Sequence, residues 1–291
     1  MDQNEDVVSI GNTPEDPLTI VDGGFISWVF GSSPERVYLW KSRSWQDFSM
    51  KRRALIVMDN PHLLRKDFYP PYKGHRQLKA ENDPVWAEKV DCVRQFRTVL
   101  RETNLVKTIE QDGLEADDLI TAFSLLYWRE FDGDQLPVIA ADKDLLQLND
   151  FLTLSGYGAT KDKDISFEAF RAKQAVCIQP VMTHHSQILL VLALLGDKSD
   201  DVPRLVPPRR LEIMVDILQD SDPWGSAARW FGEDLVKRNL YMTVLPGPWA
   251  FAEVPTVDEV FKRVREFSYL SYKLSPTVLH QYNRFVRPLM Y

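Results

Sequence analysis

The sequence predicts an α/β fold, a mostly parallel sheet with helices on both faces, followed by a helical C-terminal region. Three observations carry this. Short apolar runs bounded by turn residues, "LTIVDGG", "RRALIVMDN" and "LPVIAAD", read as buried strands. Segments with apolar residues at helical spacing alternate with them, which favours parallel pairing with helical crossovers. From Pro203 the texture changes to Pro- and Arg-rich sequence and then to helical patterns that continue to the C-terminus.

Taken in order, residues 1–17, "MDQNEDVVSIGNTPEDP", are acidic and lack an apolar signal core, so they read as a loose tail with no secretion signal. "LTIVDGG" is a strand ending in a turn, and "RRALIVMDN" is a second strand. "DPVWAEKVDCVRQFRTVLRET" sets Val85, Trp86, Val90, Val93, Phe96, Val99 and Leu100 at the spacing of an amphipathic helix. "LPVIAAD" is the third strand, and helices are predicted over 115–130 and 186–195. A sheet-bearing region over 18–200 and a helical region over 201–291 follow from this layout. No internal repeat or low-complexity tract is present.

Composition sets the outer limits. At 291 residues, with 44% hydrophobic content and eight tryptophans, the chain can build a sizeable core. No run approaches the ~18 apolar residues of a membrane span. Cys92 and Cys177 lie far apart without metal-ligand spacing and read as reduced thiols. These features predict a cytoplasmic protein, taken as a monomer. The net charge of −7 argues against nucleic acid as a partner only if the acids are spread over the surface.

They are not evenly spread. Asp22 closes the first strand, Asp59 closes the second, and Asp142 with Asp144 follows the third. Ligands of open α/β sheets bind at the carboxyl ends of the strands. Glu115, Asp117 and Asp118 in "GLEADDLI" begin a helix, where the dipole favours negative charge by ~0.3–1 kcal/mol. Asp197 and Asp200 in "LLGDKSDDVP" end the apolar run Ile188–Leu195. Each group alone has an ordinary explanation as a turn former, a helix cap or a solvated loop. Four acidic groups at the ends of apolar segments are harder to explain that way. Converging carboxylates would repel one another without cations, and an oxygen-only donor set without His or Cys suits Mg²⁺ or Mn²⁺.

"GLEADDLI", "ADKDLLQL" and "LLGDKSDDVP" resemble three motifs of the 5′-nuclease superfamily, which includes the 5′-nuclease domain of bacterial DNA polymerase I, phage 5′-exonucleases, phage-type ribonuclease H and flap endonucleases. "RKDFYPPYKGHR", residues 65–76, is similar to the family's basic arch segment, here near 65–100. "LTIVDGGFISWVF" resembles its opening strand, with Trp28 where tyrosine is common, and "YLSYKLSPT" resembles its closing helical segment. Motif order and separation match over roughly residues 18–277. The resemblance implies a PIN-like fold and phosphodiester hydrolysis by two Mg²⁺ or Mn²⁺ ions. Asp22, Asp59, Glu115 and Asp117 would serve the first ion, and Asp142, Asp144, Asp197 and Asp200 the second. Asp117 would bridge them and Asp118 would coordinate or support. Two bound divalent ions would bring the formal charge from −7 to −3.

By the same resemblance Lys73 and Arg76, sharing a helix face, would act on the scissile phosphate. Arg65 and Lys66 would grip phosphates farther out, and Tyr69 and Tyr72 would stack on an unpaired base. The sequence departs from the family where a glycine-rich turn grips duplex backbone, often with potassium. Asp201 replaces an Asn, Arg204 a Gly, and Pro207 and Pro208 stand in the turn, without the N–H groups such a turn presents. Val29 replaces a frequent Arg. Side chains of Arg204, Arg209 and Arg210 are the expected substitutes, and the potassium site is left open. The expected activity is 5′-nuclease action on DNA 5′ ends, flaps and nicked or gapped duplexes in phage or bacterial replication or repair, by a stand-alone enzyme working beside replication proteins. RNA–DNA hybrids, as in primer removal, are the alternative substrate. A non-catalytic nucleic-acid-binding scaffold is the alternative of another class, against which the full acidic set speaks.

Overall fold

The computed structural model describes residues 18–31, 54–102, 107–155 and 165–290; the tail predicted for residues 1–17 lies outside them. Among the described residues, five parallel strands form one sheet: β1 (Thr19–Asp22), β2 (Ala54–Val57), β3 (Lys107–Ile109), β4 (Leu136–Ile139) and β5 (Leu152–Ser155). Their spatial order is β3-β2-β1-β4-β5. Helices α1 (Gly23–Gly31), α2 (Leu64–Phe68), α3 (Gly74–Asn82), α4 (Pro84–Glu102) and α5 (Ala116–Glu130) belong to the first half of the chain. Further on come α6 (Phe167–Ala172), α7 (Ile188–Leu195), α8 (Glu212–Gln219), α9 (Pro223–Phe231), α10 (Glu233–Thr243), α11 (Val257–Arg265) and α12 (Pro276–Gln281).

The three inner strands, β1, β2 and β4, are largely apolar because successive side chains serve opposite faces and both faces are covered. Ile20, Leu55, Val57 and Val138 join Leu119, Ile120 and Phe123 of α5 in one buried cluster. Their neighbours Val21, Ile56 and Ile139 join Ile26 of α1 and Phe96 and Leu100 of α4 in a second. The α1–α4 contact requires Gly31, where a Cβ would lie 2.8 Å from that of Phe96. The first cluster also takes in Ile217, Leu240, Val260, Val278 and Val286, so the C-terminal helices rest on the same core as the sheet. Each such side chain, fully buried, contributes about 1.5–3 kcal/mol.

Three elements differ from the sequence reading. Where a turn was expected after β1, the chain enters α1 at once, and the N–H of Gly24 donates to Asp22 Oδ1 at 2.7 Å. Strands β3 and β5 were not predicted. Both are sheet edges with exposed positions, so neither shows a continuous apolar run. Among the described residues no helix is long and apolar enough to cross a membrane.

Candidate metal centre

The strand order reverses direction between β1 and β4, which opens a crevice at the carboxyl ends of the sheet. Asp22 is the last residue of β1, and Asp59 and Asp142 lie just beyond β2 and β4. A short 3₁₀ helix, Lys143–Leu148, follows Asp142, whose Oδ1 accepts the N–H of Asp144 at 2.8 Å. Glu115 is the N-cap of α5, with Asp117 and Asp118 in its first turn. Its own N–H donates to Asp118 Oδ2 at 3.2 Å, which fixes the two carboxylates relative to each other.

Asp197 and Asp200 arrive from α7 through Gly196. With φ at +71° and a Cβ that would meet the Val202 carbonyl at 2.5 Å, this position accepts only glycine. Reciprocal backbone bonds between Asp197 and Val202 (3.0 and 2.9 Å) close the acidic loop. Buried Asn239 of α10 donates to the carbonyls of Ala193 (2.8 Å) and Pro203 (2.6 Å), pinning both ends of that loop to the helical core. The apolar run therefore stops at charge because its C-terminus delivers two carboxylates to the crevice.

The carboxylates are close enough to oppose one another. Burial, then repulsion from Asp59 and Asp142, pushes Asp22 up to about 7. Burial also lifts Asp117 and Asp144 well above the ordinary carboxylate range, with Asp142 the largest repelling neighbour of each. Asp118 and Asp200 are raised too, by burial that Arg65 and Lys73 respectively offset in part. Two acids go the other way. Burial works against ionised Glu115, but Lys73 and Arg65 outweigh it and hold the group at about 2. Asp197, despite burial, is held below its usual value by Lys143 and by Ser199, whose N–H and Oγ–H donate to Oδ1 at 2.6 and 2.5 Å.

Side-chain cations stand among these acids. Lys73 pairs with Glu115 and lies 4.0 Å from Asp200, and Arg76 reaches Asp200 Oδ1 at 2.8 Å. Arg65 pairs with Glu115 and, at 2.8 Å, with Asp118. Arg97 is 3.5 Å from Asp59, and Lys143 pairs with Asp197. Nine carboxyl groups thus face five side-chain cations, a formal excess of four that matches the charge of two divalent ions once all nine are ionised.

Does this donor set fit a hard divalent cation? Its candidate donors are all carboxylate oxygens, burial and then mutual repulsion raise Asp117 and Asp144 well above the ordinary range, and Asp144 Oδ1 is buried without a hydrogen-bond partner. That chemistry fits. The cage is not preformed: among the described residues no three His, Cys, Asp or Glu side chains are arranged to hold an ion as they stand, and lysines lie between them.

The predicted nucleic-acid residues divide. Lys66, Arg76, Arg204, Arg209 and Arg210 are exposed. Arg204 Nε donates to the Val206 carbonyl and Arg210 Nε to Glu212, both at 2.5 Å. Tyr69 is half-buried with Arg238 over its ring at 5.6 Å. Arg65 and Tyr72 need correction. Arg65 is 3% exposed and also donates to the Val244 carbonyl, so it ties α2 to α5 and the C-terminal helices instead of gripping outer phosphates. Tyr72 is 2% exposed, its hydroxyl oxygen within hydrogen-bond distance of Glu115 (2.8 Å) and Asp200 (2.9 Å), and its ring is closed to a stacking base. Lys73 and Arg76 do not share a helix face: Lys73 caps α3 with φ at +55°. Both still point at Asp200, because the N–H of Lys73 donates to the Asp200 carbonyl and that of His75 to the Asp201 carboxylate, joining this turn to the acidic loop. Two residues were missed. Arg97 sits on α4 with nothing local to mark it, whereas Lys143 was visible as the basic centre of "ADKD".

Comparison with known proteins finds relatives in sequence and in fold. Residues 39–174 match the family model described as the 5′-3′ exonuclease, N-terminal resolvase-like domain. A DNA polymerase I from Rhizobium leguminosarum is 30% identical over 150 residues, 52% of this chain and 13% of the relative. A 5′-3′ exonuclease from Buchnera aphidicola is 25% identical over 159 residues, 54% of this chain and 49% of the relative. The chain thus spans half or less of the length of the curated relatives it matches. Among solved structures, a bacteriophage T5 D15 flap endonuclease variant in complex with DNA and metal ions superposes with a TM-score of 0.58 at 21% identity, covering 87% of this chain and 99% of that one. The T5 5′-exonuclease with bound zinc gives 0.55 at 19% identity, with the same coverage. At these identities the structures establish the shared fold. The class defined is a resolvase-like α/β domain with an acidic crevice at its switch point. Over residues 39–174 the chain is similar to the 5′-3′ exonuclease N-terminal domain family, and it shares its fold with the T5 nucleases.

Proposed function

We propose that this chain is a divalent-metal-dependent 5′-nuclease that hydrolyses phosphodiester bonds of DNA at 5′ ends or 5′ flaps. The observation that carries the reading is the convergence of Asp22, Asp59, Glu115, Asp117, Asp118, Asp142, Asp144, Asp197 and Asp200 at the strand ends, with, once all nine are ionised, a formal excess of four negative charges over the cations that face them. Asp22, Asp59, Glu115 and Asp117 would hold one Mg²⁺ or Mn²⁺ and Asp142, Asp144, Asp197 and Asp200 a second. When bound, the ions supply Lewis acidity to the scissile phosphate and its attacking water. Lys73 and Arg76 lie at the edge of the crevice. Arg76, 48% exposed, would turn toward a phosphate and stabilise the charge it develops, with Lys73 held beside it. Arg65 and Tyr72 act one step back by fixing Glu115, Asp118 and Asp200. The fold shared with the T5 flap endonuclease supports DNA as the substrate.

The test is a panel of 5′-labelled single-stranded, blunt, nicked, 5′-flap and RNA–DNA hybrid substrates, with Mg²⁺ or EDTA. Short products from DNA 5′ ends or flaps, abolished by EDTA and by Asp142→Ala or Asp197→Ala, are expected. Preference for the hybrid would move the substrate to RNA. Near-normal turnover in Asp197→Ala, or no Mg²⁺-dependent cleavage of any substrate, would overturn the proposal.

A further inference from the structure

Lys143 is the centre of an Asp-Lys-Asp run and opens the 3₁₀ helix that follows β4. Its ammonium group pairs with Asp197 Oδ2 and lies 3.4 Å from Asp144 Oδ1, so it joins carboxylates carried by two separate segments of the chain. The acids it bridges are sheltered, with side chains 16% and 6% exposed for Asp144 and Asp197, whereas its own side chain is 45% exposed. It therefore enters from the solvent side and can swing out without disturbing the core. Arg65 (3% exposed) and Lys73 (14%) are enclosed and have no such path. Asp144 Oδ1, the atom nearest Lys143 on that residue, has no hydrogen bond, so what Lys143 gives it is charge alone.

We infer that Lys143 is an exchangeable internal counter-ion: in the metal-free protein it holds Asp144 and Asp197 together, and it must withdraw for a divalent ion to bind between them. This rests on the metal-centre reading above and adds a residue that sets the affinity of one half of it. A strongly hydrated ammonium on a flexible four-carbon stem suits the exchange, because it binds as a point charge and leaves without breaking a bidentate geometry. Once displaced, Lys143 stands at the rim of the crevice as a free cation, where a substrate phosphate would next arrive.

The experiment is titration calorimetry with Mn²⁺ and Ca²⁺ on the full chain without nucleic acid, alongside thermal unfolding in EDTA. Lys143→Met keeps the stem and removes the charge. Lys198→Met removes a charge one residue from Asp197, at an exposed position, and controls for bulk electrostatics. Lys143→Met should bind its weaker ion about tenfold tighter or more, and its EDTA melting temperature should fall. Lys198→Met should change the affinity by no more than about twofold, and Lys143→Arg should bind no tighter than wild type. Unchanged or weaker binding in Lys143→Met, or an equal gain in Lys198→Met, would overturn the inference. Failure of both wild type and Lys143→Met to bind either ion would instead overturn the metal-centre reading, and the inference with it.

Discussion

Without divalent ions this chain should be most stable in mildly acidic solution, and Mg²⁺ should move that maximum toward neutrality. Asp22 sets one limb. Its carboxyl titrates at about 7 in the folded protein against an ordinary 3.8, because burial and then Asp59 and Asp142 disfavour its charge. Between those values the folded chain keeps a proton that the unfolded chain has released. The stability it contributes is complete below about pH 4 and is lost as the pH rises through about 7. At ~1.4 kcal/mol per tenfold difference in proton affinity, the ceiling is ~4 kcal/mol. Glu115 sets the other limb. Held at about 2 against an ordinary 4.5, it contributes fully above about pH 4.5 and loses that contribution as the pH falls toward 2, up to ~3 kcal/mol. The two limbs leave a maximum between roughly pH 4 and 6. Cations that bind only the folded, ionised crevice restore stability at neutral pH by mass action. Urea unfolding from pH 3 to 9, in EDTA and in ~10 mM Mg²⁺, reads this directly. A metal-free curve that climbs steadily to pH 8, or one that coincides with the Mg²⁺ curve, would refute the reasoning.

Two further outcomes are expected. Arg65→Ala should cost ~3–5 kcal/mol in urea unfolding, because it strands buried Glu115 and Asp118 without their shared partner; a loss under ~1 kcal/mol would show the pairing to be dispensable. Arg209→Ala with Arg210→Ala should weaken nicked duplex far more than single strands and reduce the salt slope by about two, with KCl and NaCl equivalent, because exposed side chains stand where a backbone turn would favour potassium. A clear K⁺ preference in binding would instead mean that the loop over residues 204–210 retains a backbone site.

What could be read in advance was residue chemistry and its place along the chain. An aspartate closing an apolar strand needs no tertiary information, since a parallel strand delivers its carboxyl end to the crevice wherever it lies in the sheet. The three long apolar runs were legible for the same reason, and β3 and β5 were not, because an edge strand buries too little of itself to leave a pattern. The limit shows most clearly at residues 65–76. Basic and aromatic residues in an arch-like segment read as a nucleic-acid surface, yet Arg65 and Tyr72 turn inward. Their direction is set by Glu115, Asp118 and Asp200, which lie far along the chain and offer buried charge that must be met.

On the function proposed above, the same competition would let an acidic chain approach a polyanion. Carboxylates in the crevice are met by cations from other segments of the chain: Lys73 for Glu115, Arg76 for Asp200, Lys143 for Asp197. A divalent ion holds twice the charge at one point and is the better partner for an all-oxygen set. On the metal-centre reading proposed above, the displaced Lys143 ammonium and Arg76 guanidinium would remain tethered at the rim, where they would turn a surface of excess negative charge into one that can hold phosphate. Metal binding and substrate attraction would then be a single event, and Lys143, the most exposed of the three crevice lysines and arginines that contact Glu115 or Asp197, is the residue at which they would be separated by experiment.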